Sequence, residues 1–590
     1  MAGRILLILI SLLVPCLCQN DTNVVELASS TSLRGILVYI PTFNSSVYQY
    51  RKIPFAKPPI GDLRFRKPVE CPLWTGTRDA TEFGSICMQD NKKNVSMSED
   101  CLFLNVYTPS NTSASDTKAV MVFIHGGAYI SGSGQIYDGS YLAISGDVIV
   151  VNMNYRLGFM GFMSTQDNAS PGNYGLWDQQ LALRWVRSHI NKFGGDPNRI
   201  TLFGESAGGF SVGLQCLYPP NRQLFHQAMA HSGVSNSVFA TSPLAKKTAV
   251  SIGTALGCTT SPSTKLVKCL RSKSAEVIQN AIHTSTSSDN KTHYILLLAP
   301  VVDGDFLTDT PSNLLSNTSS QAYKFFRSIN MVVGNVESEG SLILDQNLIR
   351  LQSFYNYNLT LGIPTRIVCG LIIPGIVGDW IGNYSDVTFA VCTEYTVIGG
   401  NTTKMGEQGN RAVQMYSDYF FLVPAIDTLN FHSQGNTQTK TFQFLLTRNA
   451  GWGVGEPYPS WLQGPGHFSE IPYLFGAQIK PHVQQQDLTL SQQMLKYWTN
   501  FAKNGDPNVG QTPEITWPAY TPSTGAYIDL DFPCSNATKM FEKRIHFWKS
   551  IVQDIIVIDN ALSGAGTLFP LFSVYAITLG LVHMLMYMVQ

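Results

Sequence analysis

Charge is scarce in this chain. Lysine and arginine number 40 among 590 residues and aspartate and glutamate also 40, so only 14% of residues are charged and the formal net charge is zero. No basic block breaks that balance, so the electrostatic footprint of a nucleic-acid or anionic-surface binder is missing and nucleic acid is not expected as a partner. No cysteines are spaced Cys-x-x-Cys, so zinc is not expected, and no cofactor is implied elsewhere. Linkers, internal repeats and low-complexity blocks are missing between about residue 24 and residue 555. That span reads as one domain, and 44% hydrophobic residues are ample for a large core.

What is present begins with the two ends. Arg4 precedes the apolar run Ile5 to Val14, and Pro15-Cys16-Leu17-Cys18 follows. This is the pattern of a secretory signal over residues 1–18, with cleavage near Cys18–Gln19, and the run is too short to span a bilayer. Asn-x-Ser/Thr occurs at eleven sites: Asn20, Asn44, Asn94, Asn111, Asn168, Asn290, Asn317, Asn358, Asn383, Asn401 and Asn536. Together they suit a glycosylated extracellular protein. Of eleven cysteines nine remain after cleavage, and an oxidising compartment makes disulfides the default. Cys87 with Cys101 and Cys258 with Cys269 are short-spaced candidates, although spacing alone does not give connectivity; the odd total leaves at least one thiol unpaired or intermolecular. At the far end, Leu568 to Val589 is almost wholly apolar and nothing basic follows it, whereas a spanning helix usually carries a basic stop. The small-residue patch Ser563-Gly-Ala-Gly566 before it resembles a glycosylphosphatidylinositol (GPI) attachment signal, with a retained single span as the alternative. Residues 556–590 therefore read as spacer and tail. The expected location is secreted, or on the extracellular face of the cell membrane through a lipid anchor.

The interior alternates two kinds of pattern. Ala119 to Ile124 and Asp147 to Asn152 are continuous apolar runs of the kind buried on both faces of a sheet. Trp177, Leu181, Trp185 and Ile190 recur near helical spacing. Strands alternating with helices predict an α/β protein with a large, mostly parallel central sheet flanked by helices. The more irregular second half is expected to supply insertions that shape a pocket over the sheet's C-terminal edge.

Gly204-Glu205-Ser206-Ala207-Gly208 lies between a short apolar strand, Arg199 to Phe203, and a helical pattern beginning near Phe210. Strand, sharp turn and helix are the context of the nucleophile elbow of serine hydrolases. The flanking glycines are expected to take up the strained backbone angles of the turn. A serine hydroxyl needs a base, and the base an orienting carboxylate. In the α/β-hydrolase fold both follow the serine in the chain. Nine of the eleven histidines do so, and His467 stands out in the glycine-rich loop Gly464-Pro-Gly-His467. For the acid, Glu337 and Glu339 compete after the apolar strand Ile329 to Val333, with Asp303 and Asp305 as a further pair. That pair hints at calcium but lacks the further ligands of a calcium loop. His125-Gly126-Gly127-Ala128 follows another strand and matches a glycine-rich oxyanion loop. The backbone N–H groups of Gly126, Gly127 and Ala207 are the expected oxyanion donors.

Taken with Gly61-Asp-Leu-Arg-Phe-Arg66, Glu99 to Tyr107, Asn154-Tyr-Arg-Leu-Gly158, Gly175-Leu-Trp-Asp-Gln179 and Phe193-Gly-Gly-Asp-Pro197, these motifs resemble the type-B carboxylesterase family over most of the chain. That family includes cholinesterases, carboxylesterases and bile-salt lipases. The resemblance implies the α/β-hydrolase fold with an active-site gorge, a small-molecule ester as substrate, and hydrolysis through an acyl-enzyme. It implies Glu339 as the triad acid and His467 as the base. It also implies disulfides Cys87–Cys101 and Cys258–Cys269, and a third, as in cholinesterase-like members, between Cys392 and Cys534. Glu205 resembles the family's buried glutamate beside the nucleophile, and Phe239 falls where an acyl-pocket wall is expected. Cholinesterases hold their cation over a tryptophan between the first two of those cysteines. Here Met88 to Asp100 contains no aromatic residue, which argues against choline esters as specific substrates. Two alternatives remain: a cholinesterase-like enzyme whose cage is rebuilt from Tyr355, Tyr357 or Trp380, and a neuroligin-like adhesion protein, although such relatives lack the serine.

Overall fold

The run Ala119 to Ile124 has no polar side because both of its sides are buried, in the middle of an eleven-stranded sheet. The computed structural model describes residues 23–90, 95–287, 298–344, 352–397, 404–451, 458–476 and 483–564. The expected signal peptide, the apolar tail Leu568 to Val589 and the sequons at Asn20, Asn94, Asn290 and Asn401 lie outside them. The strands in chain order are β1 (Val24–Ala28), β2 (Thr31–Arg34), β3 (Ile36–Ile40), β4 (Ser45–Pro54), β5 (Gly76–Asp79), β6 (Phe103–Pro109), β7 (Lys118–Ile124), β8 (Ile149–Met153), β9 (Gly195–Glu205), β10 (Gln227–His231), β11 (Asn330–Val336), β12 (Thr441–Leu446), β13 (Ala526–Leu530) and β14 (Ser535–Thr538).

The large sheet runs β14-β13-β12-β11-β10-β9-β7-β8-β6-β4-β3, and β1, β2 and β5 form a small separate sheet. Every pairing from β8 through β7, β9, β10, β11 and β12 to β13 is parallel. The antiparallel pairings lie toward the two edges. Alternation of side chains divides the core between the faces. Val120, Val122 and Ile124 of β7 join Ile200 and Leu202 on one face, under the helices Tyr174–His189 and Ala207–Cys216. Ala119, Met121 and Phe123 join Phe203 on the other, against the helix Gln485–Asn504 with Trp498. The parallel arrangement sends the loops after β7, β9, β10, β11 and β12 to one edge, where the candidate residues lie.

Two of the sequence motifs are explained by one ion pair. Arg156 and Asp178 are 4% and 0% exposed, and two guanidinium N–H groups and the Arg156 backbone N–H all donate to that carboxylate, at 2.7, 2.8 and 3.0 Å. Removing one partner of so buried a pair costs about 3–5 kcal/mol, because the other charge is left uncompensated. Arg64 grips Glu99 in the same two-pronged way, tying Gly61–Arg66 to the motif that begins at Glu99.

Cys87–Cys101 and Cys258–Cys269 are bonded as expected. The third expected pair is not: Cys392 bonds Cys369, and Cys534 is a buried free thiol. The sheet is the reason. Cys369 and Cys392 pack on the face of the sheet that carries the helix Ala207–Cys216, whereas Cys534 packs on the opposite face. Cys71 and Cys216 are also free among the described residues. Among those residues no helix is long and apolar enough to cross a membrane. The last described helix, Val552–Gly564, runs past residue 555, the expected limit of the domain, and Tyr384 donates to Asn560 on it at 3.0 Å.

Candidate active site

Strain at the elbow falls on the serine itself. Ser206 has φ 56° and ψ −122°, a conformation a residue with a side chain rarely adopts. Neither Gly204 nor Gly208 has positive φ. Their role, against the sequence expectation, is to make room: a Cβ on Gly208 would lie 2.0 Å from the Ile124 carbonyl oxygen, and one on Gly204 would lie 2.6 Å from Gly208. The strained turn is pinned by the Ser206 N–H, which donates to the His231 carbonyl at 2.9 Å. The helix Ala207–Cys216 starts immediately after it, three residues earlier than the apolar pattern indicated. Ala207 is therefore in the first turn, where N–H groups have no intrahelical acceptor.

The candidate oxyanion loop, His125 to Ala128, packs directly on this turn. A Cβ on Gly126 would lie 2.5 Å from Glu205 Oε2 and 3.1 Å from Ser206 Cβ, so only glycine fits. Gly127 has φ +100°, and its carbonyl accepts from the N–H groups of Ile130 and Ser131. His125 is buried and stacks on Tyr155, whose hydroxyl donates to the His125 carbonyl at 2.9 Å. Burial lowers the His125 pKa to about 4, so this ring is neutral and holds the loop by packing. Gln89, inside the Cys87–Cys101 loop, exchanges hydrogen bonds with the backbone of Gly132 at 2.8 and 2.9 Å, bracing the same loop.

Glu339 and His467 meet. Glu339 follows β11 in a short 3-10 turn and is completely buried. Its Oε1 accepts from the Asn335 side chain and the Val336 N–H, each at 3.0 Å, and its Oε2 lies 2.6 Å from His467 Nδ1. A carboxylate on Nδ1 fixes the proton there and leaves Nε2 as the acceptor. The His467 backbone N–H donates to Ser341 Oγ at 2.8 Å. Nε2 lies 3.1 Å from Glu205 Oε1 but forms no hydrogen bond of good geometry among the described residues, with Ser206 or any other group. Such bonds often tighten only with substrate present. Burial disfavours the imidazolium, yet the carboxylates of Glu205, Glu339 and Glu470 outweigh it and raise the His467 pKa to about 9. Burial likewise holds the Glu205 carboxyl well above its ordinary range, partly offset by His467. The two shifts have one cause in common, the attraction between the Glu205 carboxylate and the His467 imidazolium.

The other candidates separate. Glu337 is half-buried against Gly464, and the carboxylates beside the His467 ring are those of Glu339 and Glu205. Asp305 pairs with Lys67 at 2.6 Å, and Asp303 accepts from the backbone of Leu307 in its own turn. Among the described residues no group of His, Cys, Asp or Glu is arranged to hold a metal ion. Phe239 stacks on Phe420 at 4.3 Å, Trp380 meets both rings edge-on, and Phe421 lies 5.2 Å from the His467 ring. Of this aromatic wall the sequence singled out Phe239, as an acyl-pocket wall, and Trp380, as part of an alternative cation cage. Phe420 and Phe421 project from a π-helical turn, Asp418–Leu422, that apolar periodicity does not reveal. That turn is held through Asp418, which accepts from Tyr395 at 2.7 Å and pairs with Arg544 at 3.0 Å. Tyr355 instead meets Phe354 edge-on.

The model of the carboxylesterase family matches residues 21–548. The chain belongs to that family. As a member it falls in the class of serine carboxylic ester hydrolases. It is 32% identical over 558 residues to bile salt-activated lipase of Bos taurus, covering 91% of this chain and 89% of that protein. It is 32% identical over 542 residues to the medium-chain fatty acyl-CoA hydrolase precursor of Anas platyrhynchos, covering 89% and 92%. To carboxylesterase 5A of Canis lupus familiaris it is 33% identical over 535 residues, covering 87% and 86%. The large mixed sheet flanked by helices is the α/β-hydrolase architecture expected of such a carboxylesterase.

Proposed function

We propose that this carboxylesterase is an extracellular enzyme that cleaves uncharged carboxylic esters through an acyl-enzyme on Ser206. The observation that carries the reading is the 2.6 Å contact between Glu339 and His467 Nδ1, buried beside the strained Ser206 turn. His467 Nε2 takes the Ser206 proton as Oγ attacks the ester carbonyl, and returns it to the departing alcohol. Glu339 keeps the proton on Nδ1 and stabilises the imidazolium. The N–H groups of Gly126, Gly127 and Ala207 receive the developing oxyanion. Water, activated by the same imidazole, then releases the acid and restores Ser206. The wall of Phe239, Phe420 and Phe421 bounds the acyl side of the substrate. The signal sequence and sequons support secretion, and the C-terminal small-residue patch and apolar tail support a GPI anchor.

The test is a series of p-nitrophenyl esters of rising acyl length, with and without a serine-directed organophosphate, and acetylthiocholine beside an uncharged thioester of similar size. Inhibitable hydrolysis with a clear chain-length optimum is expected, and kcat/KM for the two thioesters within about tenfold, since a desolvated cation–π site would contribute about 2 kcal/mol or more. No hydrolysis by the folded, glycosylated protein defeats the reading. A large choline preference would favour a cholinesterase with a rebuilt cation site.

A further inference from the structure

A second histidine and a third glutamate are buried behind the nucleophile, and the chemistry above uses neither. His231 ends β10, in register with Glu205 at the end of β9, and its carbonyl receives the Ser206 N–H. Its side chain is fully buried, as is that of Glu470, three residues after His467 in the same loop. The Trp498 indole N–H donates to His231 Nε2 at 3.0 Å. An indole nitrogen donates only, so Nε2 must offer a lone pair. An imidazolium would set N–H against N–H. With Nε2 accepting, Nδ1 is the ring nitrogen left to donate. Nδ1 faces Glu470 Oε1 at 3.5 Å, within electrostatic reach though longer than a hydrogen bond. Neither Glu470 oxygen has a hydrogen-bond partner among the described residues.

We infer that Trp498, His231 and Glu470 form a second imidazole–carboxylate couple, in which His231 is a positioning residue that holds the Glu470 carboxyl beside Glu205 and His467. The inference rests on the reading of His467 as the base. The charge of Glu470 acts on both Glu205 and His467. The groups facing this cluster are Glu205 at the end of β9, Glu339 after β11, His467 and Glu470 in the loop after β12, His231, and the hydroxyls of Tyr137 and Tyr155. The two tyrosines are neutral, since burial raises both. The sign follows. An ionised Glu470 favours the charged form of His467 and so moves the acidic limb of kcat/KM to higher pH. Removing that charge moves the limb to lower pH.

The experiment compares wild type, Glu470→Gln, His231→Leu and His231→Gln, measuring kcat/KM for p-nitrophenyl butyrate across pH together with the thermal midpoint. Glu470→Gln and His231→Leu are expected to move the acidic limb down by about 1 unit, the lower end of the range for a neighbouring charge. His231→Gln carries an acceptor for Trp498 and a donor for Glu470, and is expected to keep the wild-type limb. Lowered thermal midpoints with unmoved limbs in Glu470→Gln and His231→Leu would reduce the couple to packing and overturn the inference. If His231→Leu is not recovered folded, the contrast between Glu470→Gln and His231→Gln decides. The low-field proton resonance of the His467–Glu339 hydrogen bond, followed against pH, reads the same shift without turnover. An enzyme inert toward esters would defeat the functional reading while this measurement still judged the couple.

Discussion

Ser206→Ala is expected to lower kcat/KM for p-nitrophenyl butyrate by about 10⁵-fold or more, the scale on which removing a triad nucleophile disables a serine hydrolase. The fold should not change. Alanine keeps the Cβ that packs near Gly126, and the backbone N–H that donates to His231 is untouched. The strained backbone is retained, so no stability is regained by relaxing it. A residual rate above water is expected from the oxyanion donors alone, because Gly126, Gly127 and Ala207 belong to the backbone. The measurement is steady-state hydrolysis with the thermal midpoint as control. Activity within tenfold of wild type at an unchanged midpoint would remove Ser206 from the chemistry.

Glu339→Gln should cost nearly as much, about 10⁴-fold in kcat, for a reason particular to this site. The Asn335 side chain and the Val336 N–H both donate to Oε1, so a glutamine must turn its carbonyl oxygen toward them. Its NH₂ group then faces His467 Nδ1, which has to become an acceptor. The proton is driven to Nε2, the nitrogen that must accept from Ser206. The volume is unchanged, so the loss reports the tautomer rather than packing. Glu337→Gln, the competing carboxylate in the sequence, is expected to change kcat less than threefold, by roughly 0.6 kcal/mol or less in barrier. A reversed ranking of the two variants would exchange their roles.

Local signals carried most of the architecture. The uninterrupted apolar runs of β7 and β8 could only be central strands, and the elbow sits where strand, turn and helix patterns meet. The resemblance to the carboxylesterase family pointed to Glu339 over Glu337, which neither the strand nor the spacing did. Properties made by contacts distant in sequence were hidden. The pairing of Cys369 with Cys392 depends on which face of the sheet each cysteine occupies. The position of Phe421 against His467 depends on a π-helical turn. The burial of Glu470 against His231 depends on a loop after β12 folding back over the end of β10. Even the glycines of the elbow were legible in place but not in role, because their function is close approach to Ile124, a neighbour in space only.

The central claim is a covalent intermediate on Ser206. Acid quenching of the purified protein during turnover of a slowly released p-nitrophenyl ester, followed by intact-mass and peptide mass spectrometry, tests it most directly. One acyl group per chain, on the peptide containing Ser206 and missing from Ser206→Ala, is the predicted result. Turnover with no adduct, or an adduct on another residue that persists in Ser206→Ala, would contradict it.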